Sequence, residues 1–297
     1  MSKNNPLVAR VVVNRAWRQL MGYGLVRSDG DFGTQADPPT HPELLDWLAA
    51  EFVEQGWSMK WLHREIVTSE AYRQQSNITA TRLESDPQNR YFARATRYRV
   101  EAETVRDMML VASGLLSLKI GGPSVRPPQP KSVTDIAYGS SKWDASEGED
   151  RYRRSLYTFS KRTAPFAAYT TFDGPTGENC IVKRNRSNTP LQSLTLLNDE
   201  MFMEFARALG QRAAKQEGSI DDKIRFMFRC LLTRPPTEPE QRRLAAFYEM
   251  QLERFAETVE GLDPNEVAGI EKATPETAAL VLVGRVLMNL DEVITQH

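Results

Sequence analysis

Groups that could bind a ligand are most concentrated between residues 151 and 186. This stretch carries eight basic residues and two acidic ones, a net charge of plus six, whereas the whole chain has a net charge of -1. The basic residues are Arg151, Arg153, Arg154, Lys161, Arg162, Lys183, Arg184 and Arg186. Aromatic residues are interleaved with them, at Tyr152, Tyr157, Phe159, Phe166, Tyr169 and Phe172. Aromatic faces and cations together suit sugars, sulfated glycans or single-stranded nucleic acid.

We therefore predict that an anionic glycan contacts seven residues of this stretch, namely Arg153, Arg154, Tyr157, Lys161, Arg162, Arg184 and Arg186. The alternative is that the rings belong to the core and that the cations pair with acidic helices elsewhere in the chain. The two interpretations differ in whether the basic groups stay open to solvent.

Four polar residues nearer the N-terminus are predicted to have either a structural or a ligand-binding role: Asn14, Arg15, Asp31 and His41. Asn14 and Arg15 interrupt the apolar run of the first predicted helix. Arg15 therefore either reaches solvent or meets a buried partner such as Asp46 or Glu103, because an unpaired buried guanidinium is costly. Asp31 lies in a glycine-rich loop, where an Asx turn explains an aspartate. His41 is expected to help start the second helix.

A catalytic interpretation depends on carboxylates. In a hydrolase or lyase that acts on complex carbohydrate, Asp29, Asp31 or Asp173 could act with Tyr157 or His41. This is the alternative to a binding function, and no spacing of these residues singles out one pair.

Other reaction classes lack their motifs. Ser155, Ser160 and Cys180 have neither a GxSxG elbow nor a recognisable histidine partner. The chain contains no P-loop and no GxGxxG, so nucleotide-dependent chemistry has no support. Cys180 and Cys230 lack metal-binding or haem-attachment spacing, and we predict two separate thiols, with one disulfide as the alternative. The sequence therefore predicts no metal ion and no cofactor.

Length and charge narrow the classes further. The chain has 297 residues with 38 basic and 39 acidic side chains, which argues against a globally cationic nucleic-acid binder. Nucleic-acid binding through the local basic stretch is the weakest ligand hypothesis. A run of about 20 apolar residues is absent, so no membrane span is predicted. Helix-forming sequence begins by Pro6 without a signal-peptide core, and we expect the chain to come from a longer protein.

Helix start and stop signals recur along the chain. The first predicted helices begin at Pro6 after an Asn5 cap, at a capping box formed by Thr40 and Glu43, and after Ser58. Further helices are predicted from about Val100 to Ser113, Thr189 to Asn198, Asp199 to about Lys215, Ile220 to Leu232, Thr237 to about Glu260, and from Thr274 onward.

These patterns predict an all-α fold, an irregular multi-helix bundle of about eight helices with at most one or two short strands. A long Pro/Gly-rich excursion is expected at residues 121–149, and residues 153–160 are predicted to be an extended segment or an ordered loop. The chain is either one helical domain, 1–297, or is divided into an N-terminal helical part, 1–120, an irregular basic and aromatic segment, 121–187, and a C-terminal helical part, 188–297.

Ten motifs occur in a characteristic order: VNRAW (13–17), GYGLVR (22–27), DFG (31–33), HPELLDWLA (41–49), TSEAYRQ (68–74), RVEAETVRDMML (99–110), RRSLYTFSKRT (153–163), RSNTPLQSLTLLND (186–199), LTRPPTEPE (232–240) and VLMNLDEV (286–293). Through them the chain resembles a planctomycete-specific C-terminal domain family of unknown function (domain of unknown function 1553). No catalytic residue or reaction comes with this resemblance.

The resemblance implies a larger exported or periplasmic protein in which such a domain follows cytochrome c-like domains. The haem-binding CxxCH is absent from this chain, so haem is not carried over. We therefore expect a non-catalytic helical interaction module whose partners are the other domains of the full-length protein and an anionic polysaccharide.

Overall fold

The computed structural model describes residues 5–130, 143–257 and 263–296. Its contacts divide the chain into two compact units. Unit 1 comprises Met1–Tyr98, Ile181–Lys183 and Thr295–His297, and unit 2 comprises Arg99–Cys180 and Arg184–Ile294. This division falls after Tyr98, whereas the boundaries expected from the sequence at residues 120 and 187 stay predictions.

Unit 1 is built from three longer helices and two short ones. They are α1 (Pro6–Met21), α2 (Pro42–Glu54), α3 (Met59–Thr68), α4 (Glu70–Arg73) and α5 (Ala80–Ser85). Helix α1 packs on both α2 and α3. Val13, Leu25 and Leu62 are fully buried at the centre of this core, which contains residues of unit 1 alone.

Unit 2 contains the remaining helices. They are α6 (Ala102–Ser113), α7 (Ala167–Thr171), α8 (Pro190–Asn198), α9 (Glu200–Ala214), α10 (Ile220–Leu232), α11 (Glu238–Ala256), α12 (Pro264–Ala268), α13 (Pro275–Met288) and α14 (Asp291–Ile294). The closest packing joins α9 to α13, and α6, α10 and α11 complete the body. Its hydrophobic core is drawn from unit 2 alone.

The all-α assignment is confirmed. Two strands of two residues, β1 (Tyr98–Arg99) and β2 (Thr295–Gln296), form the one small sheet among the described residues. Nine of the fourteen described helices have nine or more residues, close to the eight that the sequence predicts. The other five are single turns of four to six residues, too short to leave a periodic pattern.

Most predicted helix starts are confirmed, because each rests on a local cap. The Asn5 side chain accepts a hydrogen bond from the Leu7 amide at 3.0 Å, and Pro6 takes the first helical position. Ser58, Thr189 and Thr274 cap α3, α8 and α13 in the same way. At the start of α11 the Glu240 carboxylate accepts hydrogen bonds from the Thr237 amide and hydroxyl. The expected end of this helix near residue 260 lies outside the described residues.

The capping box predicted at Thr40 is wrong. Helix α2 begins at Pro42 with His41 in the cap position, and no side chain caps its amides. Both the amide and the hydroxyl of Thr40 donate instead to the Leu25 carbonyl, at 2.9 and 3.3 Å. The Thr40 hydroxyl is therefore bonded to a residue fifteen positions away and does not cap α2 as the local pattern predicted.

Residues 153–160, predicted to be an extended segment or an ordered loop, form an ordered loop. Two short 3-10 turns, Gly148–Tyr152 and Ser155–Tyr157, follow one another in this region. Isolated parallel bridges join Ser117 to Arg153 and Val125 to Thr158. Part of the expected Pro/Gly-rich excursion, residues 131–142, lies outside the described residues.

Candidate functional site

Arg153, the first of the predicted ligand contacts, points into unit 2. Its side chain is fully buried, and its guanidinium donates to the backbone carbonyls of Pro123, at 3.0 Å, and of Gly121. The same group lies over the Tyr157 ring, 3.7 Å from the centroid. The Tyr157 hydroxyl accepts a hydrogen bond from the Gly121 amide at 2.9 Å. Both side chains therefore hold the chain from residue 119 to 123 in place.

Three other arginines of the basic stretch are paired with carboxylates of the same unit. Arg151 contacts Glu204 through two bonds of 3.0 and 3.1 Å, and the Tyr152 hydroxyl donates to the same carboxylate at 2.6 Å. Arg184 forms a two-pronged pair with Glu103, at 2.6 and 3.1 Å. This fork geometry is the strong form of an arginine–carboxylate pair.

Arg154 is the most open of these paired arginines. Its Nε lies 3.3 Å from the Asp107 carboxylate, and 57% of its side chain stays exposed. Arg162 and Arg186 are exposed and Lys161 is half-buried. Lys161 and Arg162 belong to a short turn, closed by a hydrogen bond from the Ala164 amide to the Lys161 carbonyl.

A pocket of about 390 Å³ opens in unit 2 beside this turn. Its polar lining consists of Glu103, Thr104, Asp107, Arg154, Ser155, Thr158, Ser160 and Tyr169. Its apolar lining consists of Leu156, Phe159, Pro165, Phe166 and Pro175. We call this site the Phe159 pocket. It combines rings, hydroxyls and charged groups, the mixture that fixes and orients a small polar ligand.

The aromatic wall of the Phe159 pocket is supported from behind. Trp143 stacks on Phe166 with centroids 5.8 Å apart and planes 5° from parallel. The Trp143 indole donates to the Pro127 carbonyl at 2.8 Å, which fixes the ring. Arg126 lies 4.8 Å over the centroid of Phe159, the geometry of a cation–π contact. The wall is therefore held in place before any ligand arrives.

Two carboxylates enter the pocket from one face of α6. Glu103 and Asp107 are four residues apart and so lie one helical turn from each other. Asp107 accepts the Ser155 amide at 2.7 Å, and Glu103 accepts Arg184. Each carboxylate is thus partly engaged, which leaves its remaining lone pairs as acceptors for ligand hydroxyls.

Arg106, on the same helix, lies behind the pocket wall and is 1% exposed. Its guanidinium donates to the carbonyls of Arg153, at 2.8 Å, and Arg151, at 3.1 Å, and to the Ser155 hydroxyl at 3.3 Å. Burial lowers the pKa of Arg106, and Tyr169 and Asp107 partly offset this effect. The group remains charged, because an arginine in a protein does not lose its proton.

Asn14 in unit 1 has a structural position. It is 1% exposed, its amide donates to the Val26 carbonyl at 3.0 Å, and its carbonyl oxygen accepts the Val26 amide at 2.9 Å. This pair of bonds closes the turn after α1. Arg15 is exposed, the first of its two alternatives, and Asp46 pairs with Arg10 at 2.7 Å.

Asp31 and His41 also make local contacts in unit 1. The Asp31 carboxylate accepts the Gly33 amide at 2.7 Å, as in an Asx turn. The His41 ring packs near Tyr91 and Phe92, with centroids 6.2 and 5.9 Å away. Its Nδ1 lies 3.0 Å from the Thr40 hydroxyl.

The aspartates of the catalytic interpretation are each tied to a neighbour. Asp29 pairs with Arg18 at 3.3 Å in unit 1. Asp173, in unit 2, pairs with Arg99 and accepts the amide and hydroxyl of Ser187 at 2.8 and 2.9 Å. Burial raises the pKa of Asp173, but the hydrogen bonds from Ser187 and the charge of Arg99 outweigh it and leave the pKa below its ordinary value.

Three further features concern metals, membranes and thiols. Within residues 5–130, 143–257 and 263–296, no three or more histidine, cysteine or acidic side chains are grouped so that they could hold a metal ion. Across that same part of the chain, no helix combines the length and the hydrophobicity needed to cross a bilayer. Cys180 is exposed and Cys230 is half-buried, and both thiols are free, as predicted.

A family model described as "PSD1: Protein of unknown function (DUF1553)" matches residues 1–248. The chain belongs to this family. No curated protein and no solved structure matches it. The matched residues of the PSD1 family include all of unit 1 up to Tyr98 and every residue that lines the Phe159 pocket.

Glu103, Arg106 and Asp107 were not among the site residues predicted from the sequence of this PSD1 family member. A signal was present, since these residues are three and four apart on one helix face and interrupt an amphipathic pattern. Their partners lie 45 to 81 residues further along the chain, so the sequence could not indicate which groups they meet.

Proposed function

We propose that this domain is a non-catalytic interaction module that binds an anionic polysaccharide in the Phe159 pocket. The observation that carries the proposal is the pocket itself, which joins a supported aromatic wall to hydroxyls, two carboxylates and the exposed Arg154. Sugar rings stack on aromatic faces, and their hydroxyls need both donors and acceptors.

The basic turn beside the pocket supplies the preference for negative charge. Lys161 and Arg162 lie between Ser160 and Pro165, which both line the pocket. We place Arg154, Lys161 and Arg162 at the ligand, and Arg186 at its periphery. Arg153, Tyr157 and Arg184 act by holding the surrounding chain, because their polar groups already have partners inside unit 2.

The motifs that link the chain to its family support a broader proposal about context. The domain forms the C-terminal part of a larger exported or periplasmic planctomycete protein and contacts cytochrome c-like domains of that protein. Polysaccharide capture at the cell exterior is compatible with such a setting.

The test is binding to sulfated and unsulfated forms of the same glycans at low and high salt. We expect binding to the sulfated forms that weakens as salt rises, because exposed charges are screened. Removing Arg154, Lys161 and Arg162 together, each to alanine, should weaken binding about tenfold, since exposed charge contacts contribute about 0.2–1 kcal/mol each.

Arg225→Ala is the matched control. Arg225 is also an exposed arginine paired with an aspartate, at 3.1 Å, but it does not line the pocket. The proposal is overturned if no sulfated glycan binds, or if the control variant and the triple variant lose affinity equally. A single-stranded oligonucleotide that binds more tightly than every glycan would favour the nucleic-acid alternative.

A carbohydrate-active hydrolase or lyase is the second candidate. Because Glu103 and Asp107 line one pocket, they are better placed to act as its acid and base than the aspartates predicted from the sequence. Its test is the release of new reducing ends from acidic polysaccharides. If this reaction exists, Asp107→Asn should reduce its rate at least about a hundredfold, the usual contribution of an acid or base group. A module that only binds releases none.

A further inference from the structure

The hydroxyl proton of Ser155 has no acceptor among the described residues. Its oxygen accepts a hydrogen bond from Arg106, at 3.3 Å, which is the one hydrogen bond of this hydroxyl within that part of the chain. Arginine has no acceptor atom, so the serine proton cannot be directed back at it. The residue is 4% exposed, and a buried hydroxyl without an acceptor is unfavourable.

Because Ser155 lines the Phe159 pocket, a ligand bound in the pocket could supply the missing acceptor. Two other hydroxyls of the lining are engaged with each other. Tyr169 donates to the Ser155 carbonyl at 3.1 Å and lies 2.9 Å from the Thr158 hydroxyl. Of these three hydroxyls, Ser155 is therefore the one whose proton is left for a ligand oxygen.

The positive charge of Arg106, next to the Ser155 hydroxyl, determines which kind of ligand oxygen this hydroxyl favours. Every recorded hydrogen bond of the Arg106 guanidinium goes to a neutral oxygen, from two carbonyls and one hydroxyl. The carboxylates of Asp107, which accepts from Ser155 and Arg154, and of Glu204, which accepts from Arg151 and Tyr152, make no hydrogen bond to Arg106. A buried cation is weakly screened, so it favours an anion in the adjoining pocket and polarises the hydroxyl between them.

We propose that Ser155, polarised by the buried Arg106, is the donor that recognises an acidic group of the ligand, a carboxylate or a sulfate. This inference rests on the proposed function, since it names the chemical group that the Phe159 pocket takes. Ser155 contacts the ligand, and Arg106 acts through it as a positioning residue. No covalent step is involved.

Three probes with one backbone separate the sources of the acidic oxygen: dextran sulfate, carboxymethyl dextran and unmodified dextran. Affinities are measured for the full chain and for Ser155→Ala, with Ser113→Ala as the matched control. Ser113 is also a buried serine of unit 2, but its hydroxyl donates to the Leu110 carbonyl at 3.0 Å and it does not line the pocket. Thermal melting of each variant verifies that the fold is intact.

We expect Ser155→Ala to bind the charged dextran that the wild type prefers about tenfold more weakly, the contribution of a hydrogen bond to a charged group. Ser113→Ala should stay within about twofold of the wild type, and Ser155→Thr, which keeps a hydroxyl, should recover part of the affinity. The preference between the two charged probes identifies the group as a sulfate or a carboxylate.

Two failures are distinguishable. If the wild type binds neither charged dextran, the proposed function fails, and this inference fails with it. If the wild type binds one of them and Ser155→Ala binds it equally well, or loses no more than Ser113→Ala does, only the role of Ser155 is overturned. Equal loss of affinity for unmodified dextran would also contradict the charge selectivity.

Discussion

Buried arginines in unit 2 serve an irregular backbone. Arg106 and Arg153 are 1% and 0% exposed, and together they donate to backbone carbonyls between residues 119 and 153. Helices satisfy their own carbonyls, but an irregular segment does not, and a guanidinium carries five donors. At least one arginine of the basic stretch 151–186, Arg153, therefore has a structural role, besides the binding role proposed for its exposed neighbours.

Asp173 provides a residue-scale prediction. It adopts a left-handed backbone conformation with φ of 60°, which asparagine also tolerates, so Asp173→Asn removes the charge with little backbone strain. We expect the variant to lower the free energy of unfolding by about 1–3 kcal/mol at pH 7, because Arg99 and Ser187 lose a charged acceptor.

The pH dependence of this loss has a definite sign. The pKa of Asp173 lies below its ordinary value of 3.8 in the folded chain, so its stabilising contribution is present above pH 3.8 and is lost as the pH falls through the folded pKa. Urea unfolding of both proteins from pH 7 downward should show the difference shrink in acid. Asp31→Asn, in an exposed turn, serves as the control with a change below about 0.5 kcal/mol.

At the scale of elements, the contact between α9 and α13 depends on a glycine. A Cβ atom at Gly210 would lie 2.6 Å from the Val281 side chain and 2.7 Å from its backbone. Gly284, on α13, is the matched position, since a Cβ there would meet Ala206 and Met227 at 3.3 Å. Both substitutions to alanine improve helix propensity by up to about 1 kcal/mol.

Gly210→Ala should nevertheless destabilise the protein by about 1–3 kcal/mol, because the clash is with backbone that cannot rotate away. Gly284→Ala should be closer to neutral, because the Ala206 carbonyl oxygen and the flexible Met227 side chain both lie at 3.3 Å, where a small adjustment is enough. Denaturant unfolding of the two variants provides the measurement. Similar stabilities would mean that α9 and α13 separate easily and that their packing is less tight than the structure indicates.

At the scale of the molecule, each unit has a hydrophobic core of its own. Leu62 is fully buried in unit 1 and Leu209 in unit 2, and each core contains residues of its own unit alone. Truncating either leucine to alanine should cost about 3–5 kcal/mol through the cavity left behind.

We expect hydrogen exchange to report this cost locally. Leu62→Ala should reduce amide protection mainly between residues 6 and 98, and it should leave glycan affinity unchanged, because the Phe159 pocket lies in unit 2. Leu209→Ala should reduce amide protection mainly in unit 2. An equal loss of protection in both units would contradict independent cores.

The sequence by itself determined the helical elements of this protein. Asn5, Ser58, Thr189 and Thr274 are caps whose partners lie two or three residues away, so local spacing was enough to find them. The capping box predicted at Thr40 was wrong because the Thr40 hydroxyl bonds to Leu25, fifteen residues away. The clustering of cations and rings between residues 151 and 186 was equally visible.

Only the tertiary structure decided which of those groups face inward. Arg153 was predicted to contact a ligand, yet it is buried among carbonyls, whereas Glu103 and Asp107 line the pocket. Composition states how many charges a segment has, but not where their partners are. Those partners are up to 81 residues away, and burial and pairing at that range are set by how helices and loops pack together.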